Sequence, residues 1–544
     1  MKKIEIIDCT FRDGGYYNSW FFNKKLVQRY INDLSKVGIN NIEIGFRFLS
    51  EDGLKGDNAY TTDNYINSLK IPKKFNVLVM INAKDIISDK KVSIKNLKKI
   101  FPNNYKHTRL NMVRIACHLN EIALMEDAVN FLKKQGFEVG LNLMQISEIK
   151  NQDLVSVVKK ISKFKIKVFY IADSLGALNP DSTKKIFEII KKYFKGELGI
   201  HAHNNLNLAL QNTLKAFDCS VNYLDSTILG MGRGPGNTKT EELIAELNFT
   251  YKYKFKVNHL VNLVGNYFKK LKENYKWGEN IFYYYSGLNS IHPTYVQTLL
   301  DDPLLQYDEI FEVINHLSDN NTKSKFNVNY FEDIFNNNFY INKNKNNFSS
   351  QKLFKDKNIL LIGPGKSVLD LNKEIIQFIK SNKLLVVALN SHKSIPEKMI
   401  NFRIACNFIR MIIDNKFYKN SKTPLISPIS QLPASVSDLF KSKKVMNFPM
   451  KVIKNNFSYK SNYCTIPYNL VLAYSLATVL SGSPNNIILA GFDGYDNEFN
   501  SKNLLNYKIF SLILGKLKKS NIFSITDTIY PVPKKSLSSN ILLT

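Results

Sequence analysis

The chain has 544 residues, 44% of them hydrophobic and 22% charged, with a formal net charge of +29. That length exceeds one ordinary domain, so two or three globular domains are expected, and the composition supplies large cores. The positive charge is spread among Asn and Ile along the whole sequence with no nucleic-acid-binding motif beside it, which argues against nucleic acid and leaves a basic surface suited to anionic metabolites.

The N-terminus enters a strand directly, without the apolar core of a signal peptide, and no run approaches the ~18 apolar residues of a membrane span. Five cysteines, odd in number and without a CxxC pair, fit a reducing compartment; a cytoplasmic protein is expected. From there short apolar β-type runs alternate with amphipathic helical stretches. The runs are 4–8, 41–46, 76–81, 112–117, 138–144, 168–173, 198–203 and 223–229, with helices such as 24–37, 121–135, 182–193 and 206–217 between them. Eight strand–helix units predict an α/β fold, a (β/α)8 TIM barrel over residues 1–254. An open doubly wound sheet would seldom run to eight regular units. Residues 255–317 read as a helical, aromatic extension, and 318–355, rich in Asn and Lys, as a linker. A second α/β pattern, Rossmann-like, is expected over 356–544.

The barrel reading demands that chemistry collect at the C-terminal ends of strands. There the sequence puts Arg12 and Asp13 after strand one, Glu43 on strand two, Arg114 and His118 on strand four, Ser174 after strand six, and His201 and His203 on strand seven. After strand eight comes Gly230-Met-Gly-Arg-Gly-Pro-Gly-Asn237. His201 and His203, two apart on a strand, share one face. Two neighbouring imidazoles repel when charged and leave nitrogens unpaired when neutral; a divalent cation removes both problems, the alternative being a pair of core histidines each bonded to a backbone carbonyl. Asp13, His201 and His203, with Asn237 as an added amide oxygen, suit Mn, Mg, Fe, Co or Zn. Arg12 is placed to face an oxyanion on a bidentate substrate, although it could instead pair with Glu43.

Five motifs carry a resemblance: Asp8-Cys-Thr-Phe-Arg-Asp-Gly14, Val113-Arg-Ile-Ala-Cys-His118, Tyr170-Ile-Ala-Asp-Ser-Leu-Gly-Ala177, His201-Ala-His-Asn-Asn-Leu206 and the glycine loop 230–237. In this order they resemble the pyruvate-carboxyltransferase (HMG-CoA-lyase-like) superfamily, and within it most the 4-hydroxy-2-oxovalerate aldolases. The resemblance covers roughly residues 3–300 and implies a divalent-metal barrel, Mn2+ or Mg2+ foremost with Co2+ or Zn2+ as alternatives, in which a pyruvate enolate is made or released by carbon–carbon cleavage with an aldehyde. By that match Asp13, His201, His203 and Asn237 hold the metal, Arg12 stabilises the enolate, and Tyr285 lies near substrate; Glu43, Arg114 and Ser174 are expected to bind it. One departure stands out. Those aldolases carry a histidine base three residues after the metal aspartate, where this chain has Tyr16, a poor base at neutral pH. That leaves His118, or a hydroxide on the metal, to take the proton. Pro235 and the absence of a cysteine in the loop argue against HMG-CoA lyase. An acyl-CoA-condensing synthase, and a catalytically inactive barrel serving as a scaffold, remain alternatives. A homo-oligomer is expected.

In the second domain, Gly363-Pro-Gly-Lys-Ser367, Ala388-Leu-Asn390 and Leu489-Ala-Gly-Phe-Asp493 are faintly similar to the nucleotide-sugar-binding half of bacterial sialyltransferases. That likeness implies a nucleotide or nucleotide-sugar near Gly363, Gly365, Ser367, Asn390 and Asp493, with surface-glycan assembly as the setting and domain contacts alone as the rival.

Overall fold

Every barrel strand of the first half is followed by a helix that turns back over it, and this repetition closes the sheet. In the computed structural model, which describes residues 2–50, 53–302, 305–318, 323–327, 348–432, 437–495, 501–515 and 521–537, the strands are β1 (Glu5–Asp8), β2 (Asn41–Phe46), β3 (Asn76–Asn82), β4 (Met112–Cys117), β5 (Glu138–Leu143), β6 (Val168–Asp173), β7 (Glu197–Ala202) and β8 (Tyr223–Ser226). They form a closed, wholly parallel barrel in the order β1-β8-β7-β6-β5-β4-β3-β2, the fold expected from the alternation. Helix Lys24–Val37 shows why the segments between strands are helical. Asn23 caps its start by accepting from Lys25 N, Gly38 ends it in the left-handed conformation, and Val27, Tyr30, Ile31, Leu34 and Val37 bury one face at three- and four-residue spacing.

Three expected strands end early, β5 by a single residue, at Leu143. β8 stops at Ser226 instead of 229, because Thr227 N turns to Thr238 O and Leu229 adopts a left-handed backbone at φ 50°. β7 stops at Ala202, so His203 pairs outside the strand, opposite Asn237. The expected helix 121–135 divides into Leu119–Ile122 and Glu126–Lys134, and 206–217 shortens to Ala209–Asp218.

Alternation along the strands layers the barrel interior. Ile7, Leu78, Met112, Val168, Tyr170 and Tyr223 form an apolar plug. Two residues further along β4 and β8, on the same inward face, come Arg114 and Asp225, and the inside turns polar. A register irregularity between Glu43 and Gly45 marks a bulge in β2 at this level.

By compactness the chain divides into Met1–Leu300 with Ile314–Phe326, and Asp301–Val313 with Asn327–Thr544. The described residues of 255–317 include helices from Asn258–Leu263 to Tyr307–Ser318, but Asp301–Val313 falls in the second unit, so the stretch is not wholly an extension of the barrel. Most of the proposed linker, 328–347, lies outside the described residues. The second unit is built on a seven-stranded parallel sheet of β9 (Asn358–Ile362), β10 (Leu385–Leu389), β11 (Phe402–Ile404), β12 (Leu425–Ser427), β13 (Val445–Asn447), β14 (Asn486–Ala490) and β15 (Asn521–Ser524), ordered β13-β12-β11-β10-β9-β14-β15. The direction of strand addition reverses between β9 and β14, the switch point of a doubly wound sheet. Among the described residues no helix is long and apolar enough to cross a membrane.

A buried arginine ties the second sheet together. Arg403 on β11 gives Nη1 to Asn390 O and its Nε and Nη2 to Glu397, which also accepts from Ser421 and Thr423. Partial burial pushes the Glu397 pKa up, but these partners outweigh it and hold it at about 2, below its ordinary 4.5. A pKa lowered on folding stabilises above the unfolded value, so this contribution is present above about pH 4.5 and lost as the pH falls towards about 2. Glu397→Gln should therefore lose stability at pH 6 and flatten part of the acid-unfolding profile followed by circular dichroism. Superimposable profiles would remove the pair from the stability account.

Candidate metal centre

The site begins with the turn after β1. Asp8, wholly buried, accepts from Thr10 N and Oγ1, Tyr30 Oη and Thr240 Oγ1, and so fixes the chain as it enters the single helical turn Thr10–Asp13. That turn presents Arg12 and Asp13 side by side, and Thr10 Oγ1 accepts from Ile228 N of the loop after β8. The indole of Trp20 donates to Arg12 O at 2.9 Å, and that of Trp277 to Leu229 O at 3.0 Å, each securing one of the two loops that carry the site.

Below the rim, charges alternate in a continuous chain. Asp13 Oδ1 accepts from Arg12 Nη1 (2.6 Å), and Arg12 Nε donates to Glu43 Oε2 (2.8 Å). Arg114 holds Glu43 through Nε and Nη2 (2.7 and 2.5 Å) and Asp225 through Nη1 (2.9 and 2.8 Å). Asp225 Oδ2 meets His201 Nδ1 at 3.0 Å, and His201 Nε2 faces Asp13 Oδ2 at 3.3 Å. Glu43 and Arg114 are fully buried and engaged with one another, so the substrate-binding role expected for them becomes a supporting one. Burial opposes ionisation of Asp13, but Arg12 and the two histidines hold its carboxyl well below the usual range.

Among the described residues two sets of three ligating side chains approach within 4.8 Å: Asp13, His201 and His203, and Cys9, His201 and Asp225. The second set is already engaged, Asp225 by Arg114 and the Cys9 thiol by Ser226 O. The first is not. Asp13 Oδ2 and Asn237 Oδ1 are buried without a hydrogen-bond partner. His201, with Nδ1 at Asp225, brings Nε2 to 3.1 Å from Asn237 Nδ2 and 3.3 Å from Asp13 Oδ2; burial opposes its charge, but the two carboxylates raise its pKa, and a cation among these groups would take the place of that proton. Burial drives the His203 pKa well below its ordinary value, leaving a neutral imidazole. The glycine loop keeps the space open. A Cβ on Gly232 would lie 1.8 Å from Asn237 Oδ1 and 3.0 Å from Asp13 Oδ2, and one on Gly236 (φ 85°) would strike Gly230 O. Two imidazoles, a carboxylate and an amide oxygen thus fit a divalent cation of the Mn, Mg, Co or Zn kind.

The HMGL-like family profile matches residues 3–264. A 4-hydroxy-2-oxovalerate aldolase of Carboxydothermus hydrogenoformans is 31% identical over 254 residues, 45% of this chain and 71% of that protein. The chain belongs to the HMGL-like family. An oxaloacetate decarboxylase of Mycobacterium tuberculosis is 27% identical over 44% of this chain and 69% of its own. Among solved structures, the N-terminal domain of a candidate aldolase from Bacteroides vulgatus superposes with a TM-score of 0.50 at 32% identity, covering 55% of this chain and 96% of that one. A lyase or aldolase type of function follows from this membership, and HMGL-like aldolases depend on a divalent metal.

The other expected residues of the HMGL-like barrel are distributed around the rim. Tyr16 packs edge-on against Trp20 and Phe46 beneath the Arg233 guanidinium, and burial raises its pKa, so it stays a phenol at neutral pH. His118 follows β4, its amide giving to Glu121; burial lowers its pKa and leaves it neutral. Ser174 Oγ accepts from Gln145 N, and the half-buried Tyr285 donates to Asn315 Oδ1. Three residues were missed in the sequence. Asp225 could have been found as the inward neighbour of Tyr223 on β8, and Arg233 lies inside a motif already singled out. His292, whose pKa is lowered by burial and then by Arg233, His203 and His118, gives no local signal.

In the second unit Gly363 N and Gly365 N donate to Ala490 O and Gly491 O, and Ser367 gives both N and Oγ to Asp493 (2.8 and 2.5 Å). The Ser367 amide expected to meet a phosphate is therefore held by a carboxylate. Asn390, in a left-handed conformation after β10, keeps a buried Oδ1 without a partner.

The His201–Asp225 bond yields a prediction. Asp225→Asn removes the acceptor that fixes the imidazole tautomer and should weaken metal binding by about 10- to 100-fold, read by competition with a chelating dye. Unchanged affinity would relieve Asp225 of that role.

Proposed function

We propose that the HMGL-like barrel is a divalent-metal-dependent aldolase or lyase that makes or cleaves a carbon–carbon bond next to a 2-oxo acid such as pyruvate, with an aldehyde as the second substrate or product. The observation that carries this reading is the unsatisfied Asp13 Oδ2 and Asn237 Oδ1 beside the imidazoles of His201 and His203, with Arg12 Nη2 buried and lacking an acceptor next to them. Asp13, His201, His203 and Asn237 would hold the cation, which when bound polarises the 2-oxo carbonyl. Arg12, clamped by Glu43 and Asp13, directs Nη2 towards the oxyanion that develops as the methyl group loses a proton. Tyr16 is too weak a base for that proton, whereas neutral His118 can accept it. In the forward direction the C–H electron pair forms the new bond to the aldehyde carbon, and the aldehyde oxygen takes up a proton; cleavage is the reverse.

A metal-supplemented screen of aldehydes with pyruvate, following the new carbon–carbon bond by NMR, tests this. No product and no deuterium uptake into the pyruvate methyl group with any metal would favour an inactive scaffold. Arg12→Lys keeps the charge but loses the planar fork, and should lower turnover by about 100- to 1,000-fold with metal affinity little changed. Equal turnover would leave Arg12 a structural role.

For the second unit we propose a nucleotide or nucleotide-sugar ligand. Support comes from the switch point between β9 and β14 and the unpartnered Asn390 Oδ1 nearby; the Asp493–Ser367 contact moves the ligand away from the glycine turn. Saturation-transfer NMR of the full chain with a panel of nucleotides and nucleotide-sugars tests it.

A further inference from the structure

Arg233 stands in the middle of the glycine loop, one residue beyond the Gly232 that lies against Asn237 and Asp13. Its guanidinium sits 5.4 Å over the Tyr16 ring and reaches Ser174 O at a long 3.4 Å. Its Nε is buried without an acceptor, and among the described residues no carboxylate forms an ion pair with it. The contrast with the other two arginines of the site is plain, for Arg12 and Arg114 are each bound by two carboxylates. A half-buried guanidinium with its fork largely unengaged is costly to maintain without an anion, and its geometry suits a carboxylate or phosphate.

Its surroundings reinforce the point. After burial, the His118 pKa is influenced by Glu121 in one direction and by Lys325, Lys84 and Arg233 in the other, so three cations act on the candidate base. Asp85, the other carboxylate here, lies beside Lys84 and Asn82. Arg12 and the metal ligands already answer the charge of the 2-oxo acid, which leaves Arg233 for the other reactant.

We infer that Arg233 is a specificity-determining residue that binds an oxyanion, carboxylate or phosphate, on the aldehyde partner. This rests on the aldolase reading of the same site. The two substrates then enter from chemically distinct sides, with Arg12 at the forming enolate and Arg233 at the far end of the aldehyde. Tyr16 lies between that cation and the apolar wall of Trp20 and Phe46, which it meets edge-on, so it serves the aldehyde as a platform in place of a base.

The test uses the full chain with Mn2+, pyruvate and matched aldehydes: glyceraldehyde 3-phosphate against glyceraldehyde, and succinic semialdehyde against butanal. The wild type should favour at least one anionic member, the phosphate pair and the carboxylate pair separating the two sources of charge. Arg233→Gln should lower kcat/KM for that member by about 10- to 100-fold and bring its ratio to the neutral partner towards one, with Arg233→Lys in between. A ratio that is the same in wild type and Arg233→Gln overturns the inference. So does a rise in the pyruvate KM alone, which would assign Arg233 to the 2-oxo acid. Deuterium exchange into the pyruvate methyl group needs no aldehyde and separates the two readings. Exchange without anion preference sinks only this inference, whereas neither exchange nor product sinks the aldolase reading and this inference with it.

Discussion

His201→Ala and Asp13→Ala should each bind divalent metal at least about 100-fold more weakly than the parent protein, while the barrel stays folded. The expectation of folding follows from the charge chain. Removing Asp13 leaves Arg12 on Glu43, so that two guanidiniums still face two buried carboxylates. Removing His201 leaves Asp225 held twice by Arg114. Neither change strands a buried charge, which is what would unfold the protein. Elemental analysis after equilibrium dialysis measures the metal, and a thermal melt of the metal-free proteins checks the fold. Full stoichiometry in both variants would dismiss the site.

Arg114→Met should have the opposite profile. The guanidinium is completely buried, with Glu43 on one side, Asp225 on the other and the Tyr170 ring 4.7 Å away. Methionine fills much of the volume but takes the shared partner from two buried carboxylates, leaving Glu43 with Arg12 and Asp225 with His201, a loss expected to cost about 3–5 kcal/mol. Arg114→Lys should recover little, since one ammonium cannot bridge both carboxylates in plane. Denaturant unfolding measures the change. A loss under about 1 kcal/mol would mean that the carboxylates take up protons instead, and the pH dependence of the variant would reveal it.

The barrel was readable because each of its strands is a compact β-type run and each helix an amphipathic one; β2, β4 and β6 run over the residues expected. The rim chemistry was readable for the same reason, since strand ends are where a barrel can hold polar groups. What the sequence hid was which polar groups face substrate and which face one another. Glu43 and Arg114 look like substrate ligands until the inward pleat of β2 and β4 aims them below the rim, where Asp225 meets them. In the second unit, β11, β12 and β13 are three residues long, too short to show a period. Asp493 was placed near the glycine turn by its strand end, but only the folded register shows it occupying the Ser367 amide.

The chain contains two tryptophans, Trp20 and Trp277, and both indoles are fastened to backbone carbonyls of the loops that frame the candidate metal centre. Tryptophan emission, excited beyond the tyrosine absorption band, is therefore an optical report on the barrel rim, blind to the second unit. A spectral shift on adding Mn2+ or pyruvate would register events at the centre without any label. Unfolding curves from emission and from circular dichroism should diverge wherever the two halves lose structure independently.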